Sequence, residues 1–271
     1  GSLPIAAAAD AETYLAERQL QIEEAMAVVA ARAEAGTLPD VAIREGNLSI
    51  TPIKAETPDA ATAMSRLVYG QLPQIKIPDL LIEVNAWTGF AKCFTHYRSG
   101  RPAEDQKALF AAVLADGVNL SVSRMAAATH NLSARQIAWA HDWHLREETY
   151  SAALACLIDM QRELPLAKLW GDGMTSSSDG QFFRAGGRGE ASADINAKYG
   201  RTPGLKFYTH ISDQFSPFHS TVITATESEA PFVLDGLLRH QSGVAIEEHH
   251  VDTGGATDHV FALCYLLGFR F

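Results

Sequence analysis

The sequence predicts an α+β (α/β) protein in two parts: a mainly helical region over residues 1–165, then a mixed five-stranded sheet with two interleaved helices over residues 166–271. Three observations predict it. Apolar residues recur at helical spacing through the front of the chain. Beyond Pro165 the texture changes to short runs rich in β-branched and aromatic residues. Those runs come three in succession and then alternate with helical stretches.

The first element is a long amphipathic helix from Ala11 to Ala35, with Tyr14, Leu15, Ile22, Met26 and Val29 at helical spacing and Gly36 as its stop. Residues Val41 to Ile53 alternate apolar and polar around Glu45-Gly46-Asn47, which predicts a small hairpin. Helical periodicity resumes after Pro58 through Tyr69, breaks at Pro73 and Pro78, and returns over 79–98, 103–116, 118–128, 133–144 and 146–163. Short breakers separate these stretches: Ser99-Gly100-Arg101-Pro102, then His130-Asn131-Leu132-Ser133 with Ser133 as an N-cap, then Leu164-Pro165. The β runs are Met174 to Phe183, Leu205 to Ser212, His219 to Thr226, Val244 to Val251, and one opening at Phe269. Helices over Glu229 to His240 and Thr257 to Leu267 interrupt them, giving the order β, β, β, α, β, α, β. That is the order of an RNase H-like domain, in which the first strand and the end of the fourth lie side by side at the middle of the sheet.

Composition excludes several classes. With 47% apolar and 20% charged residues, the chain is neither disordered nor fibrous. A net charge of −10 argues against a free-standing nucleic-acid binder, because phosphate contacts need a basic footprint. It suits clustered carboxylates whose missing positive charge is a metal ion. Cys93, Cys156 and Cys264 are isolated and odd in number, which predicts neither a disulfide framework nor a zinc ribbon and fits a reducing cytoplasm. The longest apolar stretches, around Leu3 to Ala9 and Val260 to Leu267, fall short of a membrane span, so no membrane partner is expected. Gly1-Ser2 without methionine reads as a scar of tag removal, and the natural protein is expected to begin upstream.

In the predicted topology two acids converge. Asp179 lies in the first run, in Thr175-Ser176-Ser177-Ser178-Asp179-Gly180-Gln181, and Asp252 closes the fourth, in His249-His250-Val251-Asp252-Thr253-Gly254-Gly255. Phosphodiester cleavage calls for aspartates there, since Mg²⁺ or Mn²⁺ takes hard oxygen ligands and keeps positions open for water and phosphate. Two such ions about 3.5 to 4 Å apart can hold both the attacking and the leaving oxygen. Gly180, Gly254 and Gly255 would let a phosphate backbone come close.

At these residues the chain resembles the replicative TnpA transposases of the Tn-three class of bacterial transposons. The resemblance is carried by Trp170-Gly171-Asp172-Gly173-Met174 running into Thr175 to Gln181, by Ser212-Asp213-Gln214-Phe215, by Asp252 to Gly255 running into Asp258-His259-Val260-Phe261, and by Leu266-Leu267-Gly268-Phe269-Arg270-Phe271. The front half is similar too, in Asp79 to Val84, Trp87-Thr88-Gly89-Phe90 and Trp143 to Tyr150. The resemblance implies a DDE catalytic triad whose two aspartates are Asp179 and Asp252. Its glutamate would lie past Phe271, because residues 253–271 contain none. It also implies a longer parent that cuts transposon ends with two Mg²⁺ or Mn²⁺ ions and transfers the strand to target DNA. That parent would work as a homodimer in the bacterial cytoplasm at the nucleoid, while this piece alone would be inactive.

Bland readings stand beside the sharp ones. Asp172, seven residues before Asp179, is the rival first ligand, and Asp258 reads as a first-turn helix acid. His249, His250, Asp252 and His259 could form a zinc site of a His/Asp hydrolase, but neighbouring strand residues point to opposite faces. His141 and His144 read as helix side chains rather than ligands. The stretch from Ala185 to Gly204 reads as an insertion that is either a solvated loop or a DNA-contacting hairpin, with Arg184, Arg188, Lys198 and Arg201 as candidate contacts. Arg98 and Arg101 are open to the same two readings. Ser176 to Ser178 lack a GxSxG context, which argues against a serine hydrolase. A catalytically inactive transposase remnant acting as a DNA-bridging or assembly module is the remaining alternative.

Overall fold

The computed structural model describes residues 10–44, 47–52, 57–185 and 194–271. The chain forms two compact units, which part between Gln74 and Ile75.

In the smaller unit, α1 (Ala11–Glu34) is capped by the Asp10 carboxylate, which accepts from Thr13 N at 2.9 Å. It ends before Gly36, whose φ of +64° only glycine adopts without cost. Strands β1 (Val41–Arg44) and β2 (Asn47–Ile50) pair antiparallel, and α2 (Asp59–Gln71) follows. The hairpin forms where the alternation predicts it, although Glu45, Gly46 and Ile53 lie outside the described residues. No residue of α1 or α2 is buried, and Leu15, Ile22, Met26 and Val29 are exposed. The helical period of α1 is thus realised without a core among the described residues of this unit.

The larger unit begins with α3 (Ile77–Thr88), α4 (Gln106–Gly117), α5 (Val122–Ala128), α6 (Ala134–His144), α7 (Glu147–Glu163) and the single turn α8 (Ala167–Trp170). The predicted helix over 79–98 stops earlier, because Gly89 takes a left-handed cap at φ +69°. Ser133 caps α6 in a reciprocal box with Gln136. These helices share two apolar clusters, one centred on Leu109, Phe110, Phe90 and Phe94, the other on Ala112, Met125 and Ile137.

The sheet follows as β3 (Thr175–Arg184), β4 (Gly204–Ser212), β5 (Pro217–Thr224) and, after α9 (Ala230–Arg239), β6 (Glu248–Val251) before α10 (Asp258–Leu267). Its order is β5-β4-β3-β6, with β3 antiparallel to β4 and parallel to β6. Four strands form among the described residues where five were expected. Arg270 supplies a single parallel bridge to Glu248, at the position where the fifth run was predicted. The fourth strand is also shorter than its run of β-branched residues, since Val244 and Ile246 fill the core against Ile158, Phe218 and Leu237 instead of pairing.

Alternation sorts the sheet. Lys206, Tyr208, His210 and Ser212 of β4 and Ser176 and Ser178 of β3 are buried beneath α9 and α10, whereas Ser177, Asp179 and Phe207 occupy the exposed face. A bulge between β4 and β5 leaves Phe218 without a cross-strand partner and admits it to the core.

The part boundary expected at residue 165 falls inside this unit. α7 joins the sheet through Ile158 in the apolar cluster, through Gln161 Nε2 donating to Gln214 O at 2.9 Å, and through Asp159 accepting from Gly243 N at 2.7 Å. Ile158→Ala should therefore lower unfolding stability by about 2–5 kcal/mol. Chemical denaturation read by helix circular dichroism and by fluorescence of Trp170, whose ring meets Phe215 just after β4 at 5.0 Å, should show one shared shift, and separate transitions would contradict a single unit.

Candidate metal centre

Strands β3 and β6 pair with a constant offset of 73 residues, from Thr175 opposite Glu248 to Ser178 opposite Val251. Asp179 and Asp252 are separated by 252 − 179 = 73 residues, so they are the next pair in that register, one step past its last bonded rung. Chain direction and pairing alone bring them side by side. One oxygen of each carboxylate, together with one from Glu229, lies within 4.8 Å of the other two.

Each acid is held by a backbone device. Asp179 Oδ1 accepts from Gly180 N at 2.7 Å. Asp252 Oδ1 accepts from Gly254 N at 2.8 Å and from Gly255 N at 3.3 Å, so these glycines turn the chain back onto the carboxylate. Glu229 immediately precedes α9, and its Oε1 accepts from Lys206 Nζ at 3.0 Å. That pair is nearly dry, with side chains 12% and 6% exposed, and Lys206 Nζ donates again to Glu227 O at 2.7 Å. Gly180 makes the approach possible: a Cβ there would lie 2.4 Å from Glu229 Oε1. Sequence reasoning missed Glu229. Its one local signal is the helix start at Ser228-Glu229-Ala230-Pro231, which predicts a capping acid and says nothing of a partner on another strand.

Beneath the acids, His249 ties the two strands together. Its Nδ1 bonds Ser176 Oγ at 2.7 Å and its Nε2 bonds Ser178 Oγ at 2.8 Å, and Ser178 Oγ bonds Tyr208 OH at 2.7 Å. All four side chains are buried. With both ring nitrogens engaged by serines, His249 is not available to an ion. His250 is exposed and pairs with Glu248 at 3.0 Å. The histidine set of the alternative zinc reading does not converge, and among the described residues the converging group is Asp179, Glu229 and Asp252.

The family model described as the Tn3 transposase DDE domain matches residues 79–271. The chain belongs to that family. It is 48% identical over 270 residues, all of its own length, to the transposase for transposon Tn501 of Pseudomonas aeruginosa. It is 48% identical over 269 residues to the transposase for Tn21 of Escherichia coli, and 33% identical over 261 residues, 93% of this chain, to the transposase for transposon gamma-delta of Escherichia coli strain K12. The chain spans about 27% of the length of the first two relatives and 26% of the third.

The strings that carry the resemblance have an architectural role. Asp172 Oδ1 accepts from Met174 N at 2.9 Å, the geometry of a turn former, and Asp172 stands outside the converging acids. The Asp213 carboxylate accepts from Gly173 N, and Gln214 Nε2 donates to Gly171 O, so the two strings lock together. A Cβ on Gly171 would fall 2.2 Å from Asp213 Oδ2. Burial raises the Asp213 carboxyl above its usual range against the opposing Gly173 bond. Asp258 sits in the first turn of α10 behind the N-cap Thr257, as expected.

The basic candidates lie elsewhere. Arg184 closes β3, five residues and roughly 16 Å along the strand from Asp179. Lys198 lies over the Tyr199 ring at 5.4 Å, and Arg201 is exposed. Arg188 falls outside the described residues. Arg98 lies over the Trp143 ring at 5.2 Å, Arg101 is exposed, and His144 is a buried side chain bonded to Phe94 O at 2.9 Å.

Burial pushes His249 down to about 4 and His210, stacked on it at 5.2 Å, down to about 3, so both rings are neutral. Burial likewise pushes Tyr208 up to about 12, with the charges of Glu229, Asp179 and Asp252 adding to the rise. The unfolded chain binds protons on these histidines from about pH 6.5 downwards, whereas the folded chain does not until about pH 4. Stability should therefore be full above pH 6.5 and fall as the pH drops toward 4. His249→Gln should flatten that slope in denaturant titrations across this window, and an unchanged slope would contradict a neutral buried ring.

Proposed function

We propose that this chain carries the first two metal-binding acids, Asp179 and Asp252, of a DDE transposase built on an RNase H-like sheet. The observation that carries the reading is the meeting of two carboxylates across parallel strands whose register offset equals their separation in sequence. The strand order β5-β4-β3-β6, with Arg270 bridged beside β6, supports the RNase H-like assignment and a fifth strand starting there. On this reading residues 166–271 form the catalytic part and the helices before them its scaffold.

The residues fit a hard divalent ion. The donors are carboxylate oxygens, and the site keeps a glycine cradle that any Cβ at position 180 would fill. Mg²⁺ or Mn²⁺, in the two-ion arrangement of polynucleotidyl transferases, supplies the Lewis acidity that stabilises charge at a scissile phosphate. Asp179 and Asp252 hold the ions, and the Gly180, Gly254 and Gly255 amides fix the carboxylates. The exposed sheet face beside Asp179 leaves a nucleic-acid strand free to approach.

The substrate is DNA, first the transposon end and then the target. Water cleaves the phosphodiester at the end and leaves a 3′ hydroxyl. That hydroxyl then attacks a target phosphodiester, joining the end to the target strand as a target 3′ oxygen departs. Arg184, Arg188, Lys198 and Arg201 are the candidate DNA contacts, basic side chains within a chain of net charge −10. The complete transposase pairs two ends as a homodimer in the bacterial cytoplasm, associated with the nucleoid. On this reading the longer transposase, of which the chain spans about 27%, supplies a further glutamate to the centre, and the 271-residue chain alone does not cut.

In a full-length transposase carrying this sequence, Asp179→Ala and Asp252→Ala should each lower transposition by about a hundredfold or more. The double variant should be little worse than either single one, because the ligands act as a unit. Retained transposition in either variant removes that residue from the centre. The chain itself, given Mn²⁺ and end DNA, should leave the strands intact on a denaturing gel, and cleavage at the rate of the complete protein refutes the need for a further acid.

A further inference from the structure

We infer that Glu229 is a third carboxylate ligand of the divalent-ion centre, supplied from the start of α9 and fixed by Lys206. The inference rests on the metal-centre reading and adds a residue to it. Glu229 is distinct from the glutamate expected past Phe271, so the complete centre would count four carboxylates.

Three features point the same way. A glutamate at the mouth of a helix needs only solvent, yet this side chain turns inward to 12% exposure and brings an oxygen within 4.8 Å of both aspartates. Gathering three carboxylates is unfavourable without a compensating cation. Lys206 supplies one positive charge through Oε1 and leaves two negative charges over, the charge of one divalent ion. Glu229 Oε2 lies on the side of Asp252: a Cβ on Gly254 would stand 3.6 Å from it and 3.0 Å from Asp252 Oδ1.

The cost of this arrangement is visible in β3. Gly180 occupies a strand interior, where glycine is a weak choice, and its φ lies outside the left-handed region, so its backbone does not require glycine. What requires it is the Glu229 carboxylate, which occupies the space of a Cβ at 2.4 Å. Lys206 is the matching feature on β4, an ammonium buried to 4% exposure and aimed at the same group. A buried lysine is costly unless paired, so Glu229 and Lys206 hold each other in place.

The test is a Mn²⁺ titration of the 271-residue chain, followed by calorimetry and by the loss of the free-ion paramagnetic resonance signal. Glu229→Gln keeps the shape and an acceptor for Lys206, and should weaken Mn²⁺ binding about tenfold or more while abolishing the Mn²⁺-dependent rise in Tm. Gly180→Ala retains every carboxylate and the lysine, sets a Cβ against the Glu229 carboxylate, and should weaken binding comparably; it decides the matter if the glutamine variant melts before titration. Asp252→Asn is the control for the reading beneath the inference. Wild-type affinity in both Glu229→Gln and Gly180→Ala, with binding weakened by Asp252→Asn, overturns the role of Glu229 and leaves the two aspartates standing. A folded wild-type chain that takes up no Mn²⁺ overturns both.

Discussion

A parallel pair of four rungs, β3 on β6, decides where every acid of this site stands, and four rungs are little to fix a register. Slipping by one residue would turn each side chain of β6 to the opposite face. His250, exposed and paired with Glu248, would then enter the core, and Asp252 would lose its place beside Asp179. The clasp of His249 on Ser176 and Ser178 penalises that slip. Both ring nitrogens are satisfied only in the observed register, and an imidazole buried without its bonds would carry a desolvation cost of about 1–3 kcal/mol for each polar atom left unpaired. The clasp also explains why a histidine and two serines, rather than aliphatic residues, sit behind the converging acids. Polar partners specify one alignment, where apolar side chains would tolerate several.

Much of this was legible in the sequence, and the pattern of what was not is physical. Period-based features survive well. The helices from α4 to α7 and the runs that became β3, β4 and β5 form close to where periodicity predicts them, because each buries residues along one face. Val244 and Ile246 mislead, since β-branched residues signal burial as readily as pairing. The Asp179 and Asp252 pair was readable because a topology and a separation in sequence together imply contact. Glu229 was not, because its contact depends on a side chain reaching over a glycine on another strand, and no spacing rule encodes that. His249 was visible as a histidine near an acid but not as a clasp, since its partners lie 73 and 71 residues away.

In the larger unit the helices and the sheet meet across the change of sequence texture near residue 165. Pro165 ends α7 and the β-rich stretch begins soon after, yet Ile158, Asp159 and Gln161 of that helix already belong to the packing and hydrogen bonding of the sheet. The family match beginning at residue 79 agrees with a unit that opens near residue 75. Local periodicity reports the type of an element, whereas unit boundaries depend on which buried faces meet, and the last turns of α7 bury theirs against Phe218, Leu237 and Val244.

The glycines bring these levels together. Three different demands keep side chains away from the motif strings. At Gly171 the Asp213 carboxylate fills the space, at Gly180 the Glu229 carboxylate does so, and at Gly254 and Gly255 the backbone amides must fold back onto Asp252. In each case an acid oxygen takes the place that a Cβ would have taken or accepts the bond that the turn provides. A string such as Ser178-Asp179-Gly180 is therefore the trace of a packing problem, the lodging of several negative groups close to one another and to the backbone. Its solution requires the acid and its glycine together, so a substitution at either should disturb the same centre through different atoms.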